Sequence, residues 1–323
     1  MTSRKASSQI LLSAVVALVA FVPLGCGDDK KPLTPKVAEV EKPWKSTVDG
    51  ERAMQTVIRL CKEPRVPGTP GHLRAQQLIK AELAAAGVTT IEDQPFDAKT
   101  PIGTLKMNNI IGVLPGKTRD GIAIAAHYDS KRFTDFHFVG ANDAASACGL
   151  LVELGRQLST QKERKETIYL VFIDGEEAFM EDWGTQEDGT EDHTYGSRHL
   201  AKNMEKYPFK AFLLLDMVGD KDLQLVRDKN SSQELLGLFE STSREVFGVS
   251  IFGVNMDVQD DHIPFVSKGV PAIDLIDFEF GPDGKRHWHT KEDTLDKLSA
   301  KSLDRVGTLV LAALPKVIAK YIK

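Results

Sequence analysis

Cysteine is scarce in this chain: the 323 residues include only 3, too few for the disulfide framework that holds small secreted domains together. A strong charge of one sign is also missing. The 41 Lys and Arg residues nearly balance the 46 Asp and Glu residues, and the net charge of −5 has the wrong sign for a protein that coats nucleic acid. With 41% hydrophobic and 27% charged residues, the composition is that of a globular protein and excludes a disordered tail, a collagen-like fibre or a polytopic membrane protein.

One long uncharged and mostly apolar run stands near the N-terminus, at residues 10–24, behind two basic residues. At about 15 residues it is too short for a comfortable membrane span and is typical of a cleaved export signal. The following Leu24-Gly25-Cys26 resembles a bacterial lipobox, in which the cysteine is acylated and becomes the new N-terminus. We therefore predict a signal peptide at residues 1–25 and an exported cell-envelope lipoprotein anchored through Cys26. Secretion after an ordinary signal cleavage is the alternative.

The stretch that follows the predicted signal is rich in charge and contains three prolines. This composition predicts a tether over residues 26–46. The remaining residues, 47–323, are numerous enough for one large domain with a sizeable core. Within this domain we expect Cys61 and Cys148 to be small core residues.

The body of the chain alternates between predicted strands and helices. Short apolar runs predict strands at Ile122–Ala126, Ile168–Ile173, Ala211–Leu215 and Val270–Ile276. Helical spacing predicts helices at Asp49–Leu60, His72–Ala86, Ala144–Leu158 and Lys301–Ile322. None of the apolar runs alternates cleanly with polar residues, so each is expected to be buried on both faces. The pattern predicts a single α/β domain with a central mixed, mostly parallel β-sheet flanked by helices.

Polar side chains stand directly after three of these predicted strands. His127 follows the first, Glu176 and Glu177 follow the second, and Asp216 follows the third. The carboxyl ends of parallel strands meet at one edge of the sheet, where open α/β folds place their sites. A single acidic residue at a strand end is more often a cap or a turn residue, but three such strands in succession favour a functional site.

Two further candidates lie in predicted loops. Asp143 precedes a predicted helix, and His289 stands in the segment His287–Thr290. With Glu177 they would supply one imidazole and two carboxylates, the ligand count of a catalytic zinc with an open fourth position. Asp143 could instead be the N-cap of the helix. The wide spacing of the three residues leaves both interpretations open.

A series of motifs along the chain resembles the zinc-dependent glutaminyl cyclases of animals and bacteria, which share a fold with the dizinc aminopeptidases. The motifs are His127-Tyr128-Asp129-Ser130-Lys131, Val139–Asp143, Asp174–Phe179, Gly196–Leu200, Leu213–Asp216, Gln259–Phe265 and Trp288–Thr290. The resemblance begins near residue 50 and reaches the C-terminus. It implies a zinc aminopeptidase-like fold and an enzyme that converts the N-terminal glutamine of peptides or proteins to pyroglutamate, releasing ammonia.

The same resemblance assigns roles by position. One zinc ion per chain would be held by Asp143, Glu177 and His289, with Glu176 as the general acid/base and Asp216 and Asp260 as a supporting carboxylate pair. Gln259 would lie beside the substrate amide, and Trp183, Phe280 and Trp288 would wall the pocket. The expected partners are peptides or proteins with N-terminal glutamine; we expect no nucleic acid, contact with a membrane only through the lipid anchor, and a monomer.

The ligand inventory does not separate a cyclase from a secreted dizinc aminopeptidase. Counterparts of all five dizinc ligands are present: His127, Asp143, Glu177, Asp216 and His289. The discriminating residue is Asp260, because a carboxyl that meets Asp216 would have to share a proton with it, and that proton would take the place of a second metal. A non-enzymatic binding module on the same fold is a third possibility, disfavoured because such modules usually lose ligands.

Overall fold

The computed structural model describes residues 44–161, 163–181, 183–185, 189, 191–282 and 285–323. The predicted signal peptide at 1–25, Cys26 and the predicted tether up to residue 43 lie outside the described residues. Across the described ranges, no helix combines the length and the apolar character that crossing a membrane requires.

The order of elements follows the predicted alternation of helices and strands. The helices are α1 (Gly50–Leu60), α2 (Pro70–Ala85), α3 (Ala147–Ser159), α4 (Tyr195–Lys202), α5 (Gln233–Phe247), α6 (Ile263–Val266) and α7 (Ala300–Tyr321). The strands are β1 (Thr90–Thr100), β2 (Gly103–Leu114), β3 (Gly121–His127), β4 (Thr167–Ile173), β5 (Phe209–Asp216), β6 (Leu225–Asp228), β7 (Phe252–Met256) and β8 (Ala272–Ile276).

Six strands form the central sheet in the order β1-β2-β4-β3-β5-β8. The pairs β3/β4, β3/β5 and β5/β8 are parallel, whereas β1/β2 and β2/β4 are antiparallel. The predicted α/β class with a mixed, mostly parallel sheet is therefore confirmed. All seven residues of β3 and of β4 are buried, as expected for strands covered on both faces.

The sheet lies between two apolar layers, and the side chains of β3 alternate between them. Ile122, Ile124 and Ala126 pack into the larger core with residues of α1, α2, α3, α5 and α7. Ala123 and Ala125 point to the opposite face, where α4 and α6 contribute to a smaller cluster. Because successive side chains of a strand face opposite ways, an apolar run with no polar interruption is what this sandwiched position requires.

Local capping explains where two predicted helices begin. The helix α2 starts at Pro70, two residues before the prediction, because Thr69 caps its N-terminus and proline is favourable in the first turn. The predicted start of α3 at Ala144 is wrong by three residues. Residues 141–146 form an irregular turn in which Asp143 and Ala144 have non-helical dihedral angles, and α3 begins at Ala147.

Both predicted core cysteines are buried free thiols. The Cys148 Sγ donates a hydrogen bond to the backbone carbonyl of His127 at 3.0 Å. Burial raises the pKa of each thiol to about 12, so neither is ionised near neutral pH.

Candidate active site

The parallel strands bring the predicted polar residues to one edge of the sheet. His127 is the last residue of β3 and pairs in register with Ile173, the last residue of β4, so the turn after β4 starts beside it. Asp216 ends the neighbouring strand β5. A cavity of about 350 Å³ opens at this edge, and Glu176, Glu177 and Asp216 line it.

Three donor groups converge at the base of this cavity. Asp143, Glu177 and His289 each offer one ligand atom, and these atoms lie within 4.8 Å of one another. The His289 Nε2 lies 3.1 Å from Glu177 Oε1 and 3.3 Å from Asp143 Oδ2. Among the described residues, the buried Oε2 of Glu177 has no hydrogen-bond partner, and the Lys131 Nζ lies 3.9 Å from it. This donor set, with a buried oxygen that makes no hydrogen bond, fits a zinc ion.

Buried carboxylates hold the backbone of two of these ligands in place. Asp129 accepts hydrogen bonds from the backbone N–H groups of Glu176 and Glu177, at 3.1 and 3.2 Å. Asp293 accepts one from Asp143 N at 3.2 Å and one from the preceding residue at 2.7 Å. The N-cap position of α3 is occupied by Ser146, so the alternative role of Asp143 as the cap of this helix is excluded.

His289 is held by strained backbone and aromatic packing. Its φ of +56° lies in the left-handed region, which non-glycine residues rarely adopt outside functional or turn positions. The rings of Phe133 and Phe138 each stand edge-on to the imidazole at 6.3 Å, and the Trp288 ring lies at 4.7 Å. The surrounding contacts therefore fix the direction of the imidazole.

The electrostatics of the three donors suit a cation. Burial alone would lower the pKa of His289, but the carboxylates of Glu177 and Asp143 outweigh it and raise this pKa to about 10. Burial would raise the pKa of Asp143, yet the imidazoles of His127 and His289 hold it well below its ordinary value. The carboxylates of Asp143 and Glu177 therefore create a negative potential at the position of the imidazole, which favours bound positive charge.

A second group of donors lies directly beside the first. His127, Asp143 and Asp216 also place one ligand atom each within 4.8 Å of one another. The His127 Nε2 lies 3.1 Å from Asp143 Oδ1 and 3.5 Å from Asp216 Oδ1. The arrangement thus retains the donors of a two-metal site that shares Asp143, and donor positions alone do not decide between one metal and two.

Two further buried carboxyls face the same cavity. Burial raises the pKa of Glu176 well above its ordinary value; the carboxylates of Glu177 and Asp260 add to this, while His127 opposes it. The pKa of Asp260 is raised well above its ordinary value by burial and then by the carboxylate of Asp216. Glu176 and Asp260 therefore hold protons near neutral pH more readily than exposed carboxyls do, as general acid/base chemistry requires.

The outer wall of the cavity is aromatic and polar. Trp183, Trp288 and Gln259 line it, as predicted. Trp183 stacks on His193, with ring centroids 4.1 Å apart. The Trp288 indole N–H is buried without a hydrogen-bond acceptor in the described part of the chain, which leaves it available to a substrate carbonyl.

The structure does not place Phe280 on this wall. Its side chain is fully buried in the core, and its ring lies 5.2 Å from that of His287. A backbone turn directs the Phe280 side chain into the core. In this turn the Phe280 N–H donates a hydrogen bond to the carbonyl of Asp277, and the Phe280 carbonyl accepts one from the N–H of His287. Phe278, two residues earlier, lines the cavity instead and lies 5.1 Å from the Trp288 ring.

Sequence reasoning missed several residues of the cavity. Besides Phe278, they include Met217 and Ile276 in the interior and Asp257 at an exposed position. Phe278 and Met217 each follow closely on a strand end, so the rule that found His127 and Asp216 could have found them. Asp257 comes from a loop, for which the sequence carries no comparable signal.

Comparisons with known proteins identify the family of this chain. Residues 109–314 match the model of Peptidase family M28. The glutaminyl-peptide cyclotransferase-like protein of Bos taurus is 34% identical over 301 residues, covering 82% of this chain and 76% of that protein. The Bos taurus glutaminyl-peptide cyclotransferase is 31% identical, with 76% of each chain covered.

Solved structures show the same relationship. A glutaminyl cyclase from an Acidobacteriales bacterium superposes with a TM-score of 0.77 at 37% identity, covering 88% of this chain and 99% of that one. The Porphyromonas gingivalis glutaminyl cyclase superposes with a TM-score of 0.75 at 27% identity, covering 84% of this chain and 100% of that one. A leucine aminopeptidase precursor from Bacteroides thetaiotaomicron superposes with a TM-score of 0.71 at 25% identity, covering 82% of this chain and 96% of that one. The chain therefore belongs to peptidase family M28 and, within that family, to the glutaminyl-peptide cyclotransferases.

Proposed function

We propose that this protein is a zinc-dependent glutaminyl-peptide cyclotransferase, an acyltransferase that closes the N-terminal glutamine of peptides or proteins to pyroglutamate and releases ammonia. The names of its relatives support this reaction. The observation that carries the proposal is the buried Asp260 carboxyl, which lines the cavity with Asp216 and whose pKa is raised by burial and by that neighbour. A proton on this pair supplies the positive charge that a second metal would otherwise supply.

The donor set of Asp143, Glu177 and His289 supports one zinc ion per chain. When bound there, zinc supplies Lewis-acid polarisation of the γ-carboxamide oxygen of the substrate glutamine. One metal is sufficient for this reaction, because the nucleophile is the α-amine of the substrate itself.

Glu176 is the proposed general acid/base. Its carboxylate accepts a proton from the α-amine as the bond forms between the amine nitrogen and the carbonyl carbon (Cδ) of the side-chain carboxamide. It returns that proton to the amide nitrogen as the bond between Cδ and that nitrogen breaks and ammonia leaves. Its buried position and raised pKa support this double role, since a group that both takes and gives a proton works best near the ambient pH.

The remaining residues of the cavity orient the substrate. Asp216 and Asp260 bind the α-amine, and Gln259 lies beside the substrate amide. Trp183 and Trp288, together with Phe278, form a compact wall that excludes water and folds the glutamine side chain back towards its own amine. Holding amine and carboxamide together in this way lowers the entropic part of the barrier.

A secreted dizinc aminopeptidase is the second candidate. The second donor group, His127 with Asp143 and Asp216, favours it, as does the likeness to a protein named leucine aminopeptidase precursor. In that enzyme the two metals would activate a water molecule for hydrolysis of the first peptide bond.

Mass spectrometry of two peptides separates these functions. One peptide begins with glutamine and the other with leucine, and each is incubated with the purified zinc-loaded protein. The proposal predicts that the first peptide loses one ammonia and that the second is unchanged. Shortening of the leucine peptide by one residue, with the glutamine peptide intact, would establish the aminopeptidase.

We further propose that the enzyme is exported and acts as a monomer at the cell envelope, anchored through an acylated Cys26. The lipobox-like Leu24-Gly25-Cys26 motif behind an apolar run supports this location. The anchor and the charged, proline-containing segment after it would keep the catalytic domain attached to a membrane that it does not itself cross.

A further inference from the structure

A buried histidine and two buried aspartates lie behind the carboxyls of the cavity. His262 follows Asp260 by two residues, Asp228 ends β6, and Asp274 stands in the middle of β8. The side chains of His262 and Asp228 are fully buried, and Asp274 is 1% exposed. Burying three ionisable groups is costly unless they interact with one another, so their arrangement calls for a physical explanation.

One side of His262 is anchored by Asp228. The His262 Nε2 lies 3.0 Å from Asp228 Oδ2. The same Oδ2 accepts a hydrogen bond from the Ser231 hydroxyl at 2.7 Å, and Oδ1 accepts from the backbone N–H groups of Asn230 and Val258 at 3.0 Å. Burial opposes ionisation of Asp228, but His262 and these hydrogen bonds lower its pKa. Asp228 is therefore a rigid, charged anchor for the imidazole.

The other side of His262 faces Asp274. The His262 Nδ1 lies 4.0 Å from Asp274 Oδ2. Among the described residues, this nitrogen has no hydrogen-bond partner, and no group donates a hydrogen bond to the oxygens of Asp274. Burial raises the pKa of Asp274 well above its ordinary value, and the neighbouring Asp260 carboxyl raises it further, so the two carboxyls lie close together. A hydrogen bond between them requires a proton on one of the two. The chain of contacts thus runs from Asp228 to a carboxyl that lines the cavity.

We propose that His262, held by Asp228, is a positioning residue for the cyclisation. It fixes the Asp274 carboxyl and, through it, the orientation of the Asp260 carboxyl that binds the substrate amine. The inference rests on the proposed function, since it gives Asp260 its role in that reaction. His262 touches neither substrate nor metal and acts through the two carboxyls alone.

The test is a set of conservative variants assayed on a glutamine-initiated peptide. His262→Gln can keep an amide near Asp228 but loses the Nδ1 side that faces Asp274. We expect kcat to fall by roughly 10- to 100-fold, as misplacement of a reacting group does. Asp228→Asn should lower kcat in the same way, and the double variant should lose little more than the larger single loss, because both residues act through one chain of contacts. KM and zinc content should stay close to those of the wild type, whereas Tm should fall in both variants, because each change disrupts a buried histidine–aspartate pair.

The control is His72→Gln, which disrupts another buried histidine–aspartate pair, His72 with Asp174 at 2.7 Å. It should lower Tm and leave kcat unchanged. If the wild type is active and the folded His262→Gln variant keeps the wild-type kcat, the inference is overturned. It is also overturned if the fold-losses in kcat of the two single variants multiply in the double variant. If His262→Gln does not fold, Asp274→Asn decides: a lowered kcat supports the inference and an unchanged kcat overturns it. A wild type that forms no pyroglutamate defeats the proposed function instead.

Discussion

At the scale of single residues, the buried carboxyl groups that line the cavity are of two kinds. The imidazoles of His127 and His289 overcome burial and keep the pKa of Asp143 low, so this carboxyl is ready to bind a cation. Glu176 experiences burial and the nearby carboxylates of Glu177 and Asp260, which raise its pKa despite His127. The groups around each acid therefore determine its chemistry: Asp143 is suited to metal binding and Glu176 to proton transfer.

Glu176→Gln tests the proposed proton transfer. The amide keeps the shape of the side chain but cannot accept the proton of the attacking amine, so kcat should fall by roughly 10²- to 10⁴-fold. Zinc content and Tm should not fall, since Glu177 and the other ligands are unchanged. Ammonia release from a glutamine-initiated peptide gives the rate. A variant with more than a tenth of wild-type kcat would remove Glu176 from this role.

Asp261→Asn tests the electrostatic cost of the buried acids. Burial raises the pKa of Asp261 from 3.8 to about 7, so the folded state binds its proton more tightly than the unfolded state does. The free energy of unfolding should therefore fall as the pH rises between these two values. In the Asp261→Asn variant, the decrease in the free energy of unfolding between pH 5 and pH 7 should be smaller than in the wild type by roughly 2 kcal/mol.

Urea unfolding of the metal-free protein at several pH values measures this slope. Asp97→Asn is the matched control, because Asp97 is exposed and pairs with Lys106 on the protein surface. The control should keep the wild-type slope. An Asp261→Asn slope equal to that of the wild type would show that this carboxyl does not titrate as expected.

Residues that follow strands were predictable from the sequence, whereas residues inside strands were not. Glu177 and Asp216 stand where apolar runs end, and this position alone marked them as candidates. Asp274 lies inside the apolar run of β8, and its partner His262 lies in a different segment, so only the fold reveals their contact. Asp293, which holds the backbone of Asp143, carries no local signal because it acts across 150 residues.

At the scale of elements, the segment after β8 shows how a turn selects the side chain that meets the substrate. Phe278 is half-buried against Trp288, and Phe280 is fully buried in the core. We expect Phe278→Ala to lower kcat/KM by roughly 5- to 20-fold through the lost aromatic contact, with little loss of stability. Phe280→Ala should cost about 3–5 kcal/mol of stability, as core truncations do.

Denaturant unfolding and steady-state kinetics on both variants measure the two effects separately. Phe280→Ala should retain the wild-type kcat/KM per folded molecule. The opposite result, with a stable Phe280→Ala that binds substrate poorly, would restore Phe280 to the pocket wall.

Element type was easier to predict than element boundaries. The central strands β3, β4 and β5 each contain a short apolar run with no polar interruption, so their existence followed from burial on both faces. The start of α3 was displaced because the irregular turn at residues 141–146 orients Asp143 towards the imidazoles, a tertiary requirement that helical spacing does not reveal. The helix α5 was missed: Gly237 and residues 241–243, which are Ser, Thr and Ser, have low helix propensity, and packing of its apolar face in the core outweighs this.

At the scale of the whole molecule, the fold class could be predicted from the sequence, whereas the single zinc ion that the resemblance implies stays a prediction. The two donor groups share Asp143, so the same ligands serve one ion or two. A one-ion site differs from a two-ion site in whether Asp216 and Asp260 hold a proton between them. That depends on how deeply the two carboxyls are buried and on how close the fold brings them from different elements. Such a property emerges only once the chain has folded.

The location of the whole molecule is tested by Cys26→Ser. Without the thiol no acyl chain can be attached, so the protein should move from the membrane fraction to the soluble fraction of the exporting cell. Fractionation followed by immunoblotting measures this shift, and Cys61→Ser serves as a control that should leave the protein with the membranes. A wild-type protein found wholly in the soluble fraction would contradict the proposed anchor.

The measurement that tests the central claim most directly is a zinc titration of the metal-free enzyme, followed by pyroglutamate formation. The account predicts that activity is absent without metal and rises linearly to a plateau at one zinc ion per chain, because Asp143, Glu177 and His289 suffice for the reaction. A plateau reached only at two ions per chain, accompanied by release of N-terminal leucine from a peptide, would contradict it.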